Sequence, residues 1–464
     1  MNSRGTVQVK VQRSRSHDVV VVGGGTTGFA AALASARNGA DTALVEYNSF
    51  VGGNAANGLP FLGSHNQQKQ LVVKGTALEL IRRLQSVDAA SDYYWDPITS
   101  DLVWINPDWL KVMAMTMLDE AGVHLYLRSL ASGVDATAGH LNGLFISNKE
   151  GCQRLVARAF VDATDTADIA VLGGADYIRG RARDGRVQAA SLCVRVGSID
   201  FTELLQYYDA HPDEIRPWPL PREVIDQLLK QMHSAPFVIG GLRSLVAQAV
   251  AEGLEFPRDQ VNGVCHPLLG EAILVASRVE DVDPNNVLSY TASERTGQLQ
   301  VAGILEFVRR YMPGGCRARL IGTGHQIGVR ETRHVLGGYT LTVDDLLQGR
   351  RFEDTVALGA YHVDIHSPDH KGLAEFVQPP TYGIPYRSLL PQNMDNLLVA
   401  GRCISATHEA QASTRVIPIC MAIGQAAGTA AALSVRLGVT PRILDVTKLQ
   451  RSLGKQGAEL GDTL

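Results

Sequence analysis

The sequence predicts an α/β protein with a central parallel sheet and a second, α+β domain inserted into it. Three observations carry this prediction. Val19–Val22 is a short, wholly β-branched run of the kind buried on both faces in parallel sheets. Gly23, Gly25 and Gly28 follow it directly and open an Ala-rich helix, Phe29–Asn38, which Gly39 stops before a second strand, Thr42–Glu46. A third buried strand, Asn396–Ala400, returns near the C-terminus. In between, from about residue 190 to 382, prolines and charges rise and short helices alternate with strand-like pieces.

The intermediate elements follow from periodicity. Gly75–Ser86 and Pro107–Ala121 carry apolar residues three and four apart and read as helices, as do Arg222–Met232, Gly241–Glu252 and Gly297–Tyr311. Val123–Leu127, Leu141–Ile146 and Arg154–Ala163 read as strands. The expected organisation is a flexible extension over 1–17, a Rossmann-like domain over 18–190, a substrate domain over 191–382, a return segment over 383–440 and a C-terminal extension over 441–464.

Composition narrows the function. A chain of 464 residues with 45% hydrophobic and 19% charged residues and a net charge of −4 lacks the basic excess of a nucleic-acid binder. The six cysteines, Cys152, Cys193, Cys265, Cys316, Cys403 and Cys420, show neither CxxC pairs nor metal-ligand spacing, so reduced thiols, a cytoplasmic location and no metal are expected. The first 17 residues are polar and basic without the apolar core of a secretory signal. Val416–Val435 has no charge and is long enough to span a membrane. Its Ala/Gly content and the polar Gln425 and Thr429 point instead to a buried helix.

Gly23, Gly25 and Gly28 satisfy G-x-G-x-x-G in its proper context, with Thr27 inside the loop. The first glycine permits the turn and the second lets backbone approach a pyrophosphate. The third allows close helix–strand packing, and the helix N-terminus favours the negative charge. Glu46, 18 residues past Gly28 at the end of the next strand, is placed to accept ribose hydroxyls and would repel a 2′-phosphate. These features specify a dinucleotide without naming it.

Resemblance decides between dinucleotides. Val51–Asn54, with Gly52, Gly53 and Asn54, resembles the loop after the ribose-binding acid in two-domain flavoproteins. Val161–Thr164, with Asp162 and Thr164, resembles their second FAD strand, although Asp165 stands where glycine is usual. Asn396–Arg402, with Gly401 and Arg402, and Gly424–Gly428, with Gln425, resemble the last FAD-contacting strand and helix. The series is similar to the FAD-dependent oxidoreductases related to fumarate reductase and succinate dehydrogenase flavoproteins. Gly328–Arg333, Gly338–Thr342 and Ile384–Leu390 resemble a bacterial branch of them. The resemblance implies a glutathione-reductase-like FAD fold, FAD as cofactor and a separate substrate domain, without implying one substrate.

Candidate catalytic residues fall in three groups. His325, Arg330, Glu331 and Arg333 offer two arginines around a glutamate, suited either to clamp a substrate carboxylate or to join the domains. His362, Asp364 and His366 alternate, so a strand would place them on one face as an imidazole–carboxylate set for acid–base work, with structural and metal-binding readings also open. His408, Thr414 and Arg415 lie between the last FAD strand and its helix, where the resemblance implies contact with the flavin and Arg415 would add positive charge. His65 occupies a position where some relatives attach FAD covalently; a non-covalent flavin is expected here.

The expected reaction is hydride transfer between flavin N5 and a carbon of a small or medium organic substrate, with an electron donor or acceptor of unspecified kind. A disulfide reductase is excluded because no cysteine lies between Gly28 and Glu150. A monooxygenase is disfavoured because Gly401-Arg402 replaces the Gly-Asp of aromatic hydroxylases. A flavin-binding or RNA-modifying scaffold is a further alternative. Neither nucleic acid nor a membrane span is expected.

Overall fold

The computed structural model describes residues 10–461 except 98, 217–219 and 370–375. Its principal sheet is built on β1 (Val11–Val22), which is followed by α1 (Thr26–Arg37) and β2 (Thr42–Val45). β1 pairs in parallel with β2 on one side and with β3 (Gly151–Asp162) on the other. His124–Tyr126 extends the parallel array beyond β2. The far edge of β3 is shared. Its first residues pair antiparallel with His140–Asn148, and Phe160–Asp162 pair in parallel with β4 (Leu397–Val399). Leu130–Thr137 completes the antiparallel meander.

The apolar runs need no alternation because both faces of the sheet are covered. α2 (Ile417–Leu437) packs on α1 and the sheet, and most of its residues are buried. An added Cβ on Gly424 would stand 2.2 Å from the Thr27 carbonyl oxygen, and one on Gly428 would stand 1.9 Å from that of Ala31. These two glycines therefore set how closely α1 and α2 approach. Among the described residues α2 is the one helix long and apolar enough to cross a membrane, and 89% of its most apolar window is buried inside the protein.

A second core runs from Leu192 to Ala318. It is an antiparallel five-stranded sheet in the order Phe237–Gly241, Val261–His266, Glu271–Leu274, Val194–Gly197, Arg319–Thr323, flanked by helices including Val287–Arg310. That last helix begins ten residues before the expected Gly297, because the Asn286 side chain caps it through the Leu288 and Ser289 amides.

Two expected boundaries shift. The chain rejoins the first core at Val335, and Leu341, Val356, Tyr361 and Tyr382 all pack there, well before the expected return at 383. The N-terminal extension is only partly an extension. Residues 1–9 lie outside the described residues, but residues 11–17 are strand, laddered onto β3 from Cys152 to Ala157. Their side chains are polar on both faces, so no hydrophobic alternation announces a strand that backbone hydrogen bonds hold. At the other end Val446–Lys455 is a helix whose Leu449 and Leu453 join the first core.

Candidate functional site

The loop after β1 contains glycines with different tasks. Gly23 adopts φ +97°, and an added Cβ on Gly28 would fall 1.7 Å from the Gly23 carbonyl oxygen, so both are demanded by the protein itself. Gly25 is not. Its φ is an ordinary −62°, and the nearest protein atom to an added Cβ is Asp165 Oδ2 at 3.9 Å. Open space lies before it, beside the first turn of α1, which has neither a side-chain cap nor an acidic residue. A cradle that only a Cβ would fill, at an uncapped helix N-terminus, fits a pyrophosphate.

Glu46 is buried and prearranged beside this loop. One carboxylate oxygen accepts from the Gly24 amide and the other from the amide and side chain of Asn48. Three of about four acceptor positions are thus taken, leaving one for a ribose hydroxyl. Gly52 donates to the Gly24 carbonyl, an added Cβ on Gly53 would stand 2.9 Å from Gly25 Cα, and Asn54 lines the cavity beside them.

At the end of β3, Asp162 and Thr164 shape the loop from within. The Asp162 carboxylate accepts from the Thr164 amide and hydroxyl and from the Ala170 amide. Burial, with help from Asp168, raises its pKa to about 6. The residue that reaches the cavity is Asp165. It adopts φ +64°, in the left-handed region that glycine favours, and its carboxylate pairs with Arg402 at 3.0 Å. Gly401 is required there, since an added Cβ would stand 2.5 Å from Asp165 Oδ1.

The cavity lies between the two domains, with about 1640 Å³ of open space including its mouth. Thr26, Thr27, Arg402, Arg415, Val416 and Ile417 line the cofactor-domain side, and Val238, Gly240, Asn262 and Val264 of the second sheet line the opposite side. Arg330, Tyr361, His362, Asp364 and His366 form a third wall. Only Val363–Asp364 is strand here, yet Val363 and Ile365 turn into a small apolar cluster with Ala412 while His362, Asp364 and His366 face the cavity.

The charges on this wall are coupled. Asp364 accepts from Arg415 at 2.9 Å and lies 3.3 Å from His366 Nε2. Burial alone would raise its pKa, but His366 and Arg415 outweigh burial and hold the carboxylate well below the usual range. Burial and the nearby Arg330 lower His366 to about 3, so at neutral pH this imidazole is uncharged. An imidazole so lowered is ill suited to the acid–base work expected of this set. Arg330 is half-buried, and desolvation together with Arg415 and Arg258 lowers its pKa to about 9. Its guanidinium donates to the Ala189 carbonyl at 2.6 Å and to the Ser191 hydroxyl at 3.0 Å.

Other candidates fall elsewhere. Arg330, Glu331 and Arg333 do not converge into a clamp, because successive side chains diverge along irregular chain. Glu331 is buried against His334 Nε2 at 2.9 Å and His408 Nδ1 at 2.8 Å and accepts from the Gln188 amide. Arg333 turns outward to Asp168 at 3.2 Å. His408 therefore serves Glu331 and is not among the cavity residues. His325 stacks on Phe50 at 4.6 Å, also outside the lining. Thr414 is buried, its carbonyl accepting from the Cys420 thiol. Gly424 serves helix packing, and Gln425 accepts from the Thr76 amide in the interior. His65 is engaged by Asp101 and packs edge-on against Tyr93, away from the lining. Sequence reading missed Arg216, held by Asp96 at 2.6 Å, and the second-sheet residues Gln260 and Asn262; no motif or spacing marks any of them.

The sequence model of FAD-dependent oxidoreductases matches residues 18–453. The chain belongs to the FAD-dependent oxidoreductase family. It is accordingly an oxidoreductase that uses FAD, and the Gly25 cradle, Glu46 and the Arg402 region are the places fitted to hold that cofactor. No curated protein matches the chain. Among solved structures it is similar to a geranylgeranyl bacteriochlorophyll reductase-like protein from Thermoplasma acidophilum, at 12% identity and TM-score 0.46, covering 96% of this chain and 84% of that one. A p-nitrophenol 4-monooxygenase from Pseudomonas putida matches at 11% identity and TM-score 0.47, covering 97% and 90%. A glycine oxidase from Bacillus cereus matches at 12% identity and TM-score 0.40, covering 93% and 98%. At identities this low, no reaction is carried over from these proteins to this chain.

Proposed function

We propose that this oxidoreductase moves hydride between FAD and a carbon atom of a small organic anion, in a desaturation, ene-reduction or dehydrogenation. The carrying observation is Arg330. It is a half-buried guanidinium on the cavity wall whose hydrogen bonds go to neutral oxygens. Asp364, the carboxylate whose charge acts on it, is engaged with Arg415 and His366. A partly desolvated cation so placed favours a ligand that brings its own negative charge, and a guanidinium fork suits a carboxylate.

When bound, FAD supplies hydride acceptance or donation at its N5. The chain's own residues supply the rest. Arg330 binds and orients the anionic end of the substrate. Val238, Val264 and Val275 present an apolar wall that excludes water and strengthens the electrostatics on the opposite side. His366, uncharged beside an ionised Asp364, faces the cavity with a neutral imidazole that can hydrogen-bond a polar group of the substrate. Arg402 and Arg415 place positive charge near the cofactor side of the cavity. The electron partner is a separate molecule.

The test is anaerobic stopped-flow mixing of the FAD-loaded protein with a panel of small carboxylates and with NADH and NADPH. Saturable flavin bleaching by an organic acid, or reoxidation of the dithionite-reduced flavin by an unsaturated acid, is expected, with the half-saturation concentration raised at least tenfold by Arg330→Gln. Bleaching by NADPH alone, followed by oxygen-dependent turnover, would replace this reading with monooxygenation.

A further inference from the structure

The start of the ladder that joins β1, β2 and His124–Tyr126, opposite the cofactor loop, brings together a second group of chemically capable side chains. Val19 is in register with Thr42 and Ala43 with His124. His17, within β1, therefore stands beside Asp41 and His124, which lie at the starts of the two neighbouring strands. We propose that they form a binding site for one divalent first-row metal ion, of the Zn²⁺ type.

The geometry supports this directly. Asp41 offers one carboxylate oxygen to each imidazole: Oδ2 lies 3.1 Å from His17 Nδ1 and Oδ1 lies 3.1 Å from His124 Nε2. The three donor atoms all lie within 4.8 Å of one another, and among the described residues no other trio of His, Cys, Asp or Glu does so. Tetrahedral Zn²⁺ with bonds of about 2.0–2.1 Å separates its ligand atoms by about 3.3 Å, so a group lying within 4.8 Å closes on an ion by small side-chain rotations. Two imidazoles and a carboxylate are also the ligand types such ions select.

The surroundings resemble those of a metal ligand. The far nitrogen of His17, Nε2, is fixed by the Tyr126 hydroxyl at 3.0 Å, and the two rings meet edge-on. A second hydrogen bond of this kind orients a ligating imidazole and sets its tautomer. His17 is buried, whereas His124 and Asp41 are 58% and 46% exposed, which leaves an entry path and a position for water. Asp18, whose carboxylate accepts the Asp41 amide, adds negative charge nearby, and Arg15 lies over the Tyr126 ring. The expectation of no metal rested on cysteine spacing; these ligands come from two strands and the residue that leads into a third. A bound ion would tie those strand ends together, well away from the redox site.

The test uses the tag-free, FAD-loaded full chain, stripped with a chelator and titrated with Zn²⁺ against a chromophoric competitor. One Zn²⁺ per chain with micromolar or tighter affinity is expected. His124→Ala, His124→Gln and Asp41→Asn should each weaken binding at least tenfold while FAD content stays unchanged. Zn²⁺ should raise the Tm of the parent protein and not of His124→Ala, since a ligand stabilises only the state that binds it. Absence of stoichiometric uptake would overturn the proposal. So would equal uptake by the His124 variants, which would put the ion on cysteines such as the exposed Cys316.

Discussion

Gly25 separates a residue needed by the cofactor from one needed by the fold. Valine at this position meets no protein atom closer than 3.9 Å at its Cβ, and the local φ suits it. The fold should therefore tolerate Gly25→Val with a loss of about 1 kcal/mol, as for a poorer helix N-cap. FAD retention should fall away, because the added side chain fills the space before the α1 N-terminus. Flavin absorbance per purified chain and the urea midpoint of the apoprotein measure the two effects separately. Full FAD content in the variant would mean that the loop does not approach the pyrophosphate. Gly28→Ala is the contrasting case: a Cβ 1.7 Å from the Gly23 carbonyl oxygen has nowhere to go, so loss of folding and loss of FAD should coincide.

At the scale of elements, the α1–α2 contact makes the same kind of distinction. An added Cβ on Gly428 would stand 1.9 Å from the Ala31 carbonyl oxygen, and backbone cannot turn aside as a side chain can. Gly428→Leu should cost about 3 kcal/mol or more, read as a lowered urea midpoint. An unchanged midpoint would show that the two helices are free to separate. Such elements were readable in sequence wherever one rule governed them. The glycine spacing fixed the β1–α1 turn, and the uncharged Ala/Gly stretch marked a buried helix. Residues 11–17 were not readable, because a strand with polar residues on both faces carries no alternation. The site divides in the same way. The alternation of His362, Asp364 and His366 was visible locally, whereas the association of His408 with Glu331 joins residues 77 positions apart and leaves no periodic trace. Gln260 and Asn262 reach the cavity only because the second sheet folds across it.

At the scale of the whole molecule, Glu331 joins segments that the sequence keeps far apart: Gln188 at the entry to the second domain, His334 on the way back and His408 after β4. Burial acts to raise its pKa from 4.5, but the hydrogen bonds from His334 and His408 prevail and hold it at about 2. A carboxylate depressed in the folded state contributes stability that is complete above the unfolded value. That contribution falls as pH drops from 4.5 through about 2, because the unfolded chain takes up a proton that the folded one refuses. The shift corresponds to roughly 3 kcal/mol. Glu331→Gln removes the ionised acceptor, so its cost should be greatest at neutral pH, about 3–5 kcal/mol for a broken buried pair. At pH 3 the difference between parent and variant should be smaller by roughly 2 kcal/mol, since most of the linkage has already been lost from the parent. Urea unfolding of both proteins at pH 7 and pH 3 measures this directly. A gap that stays constant between the two pH values would mean that Glu331 is not held ionised and that the three segments are joined by packing alone.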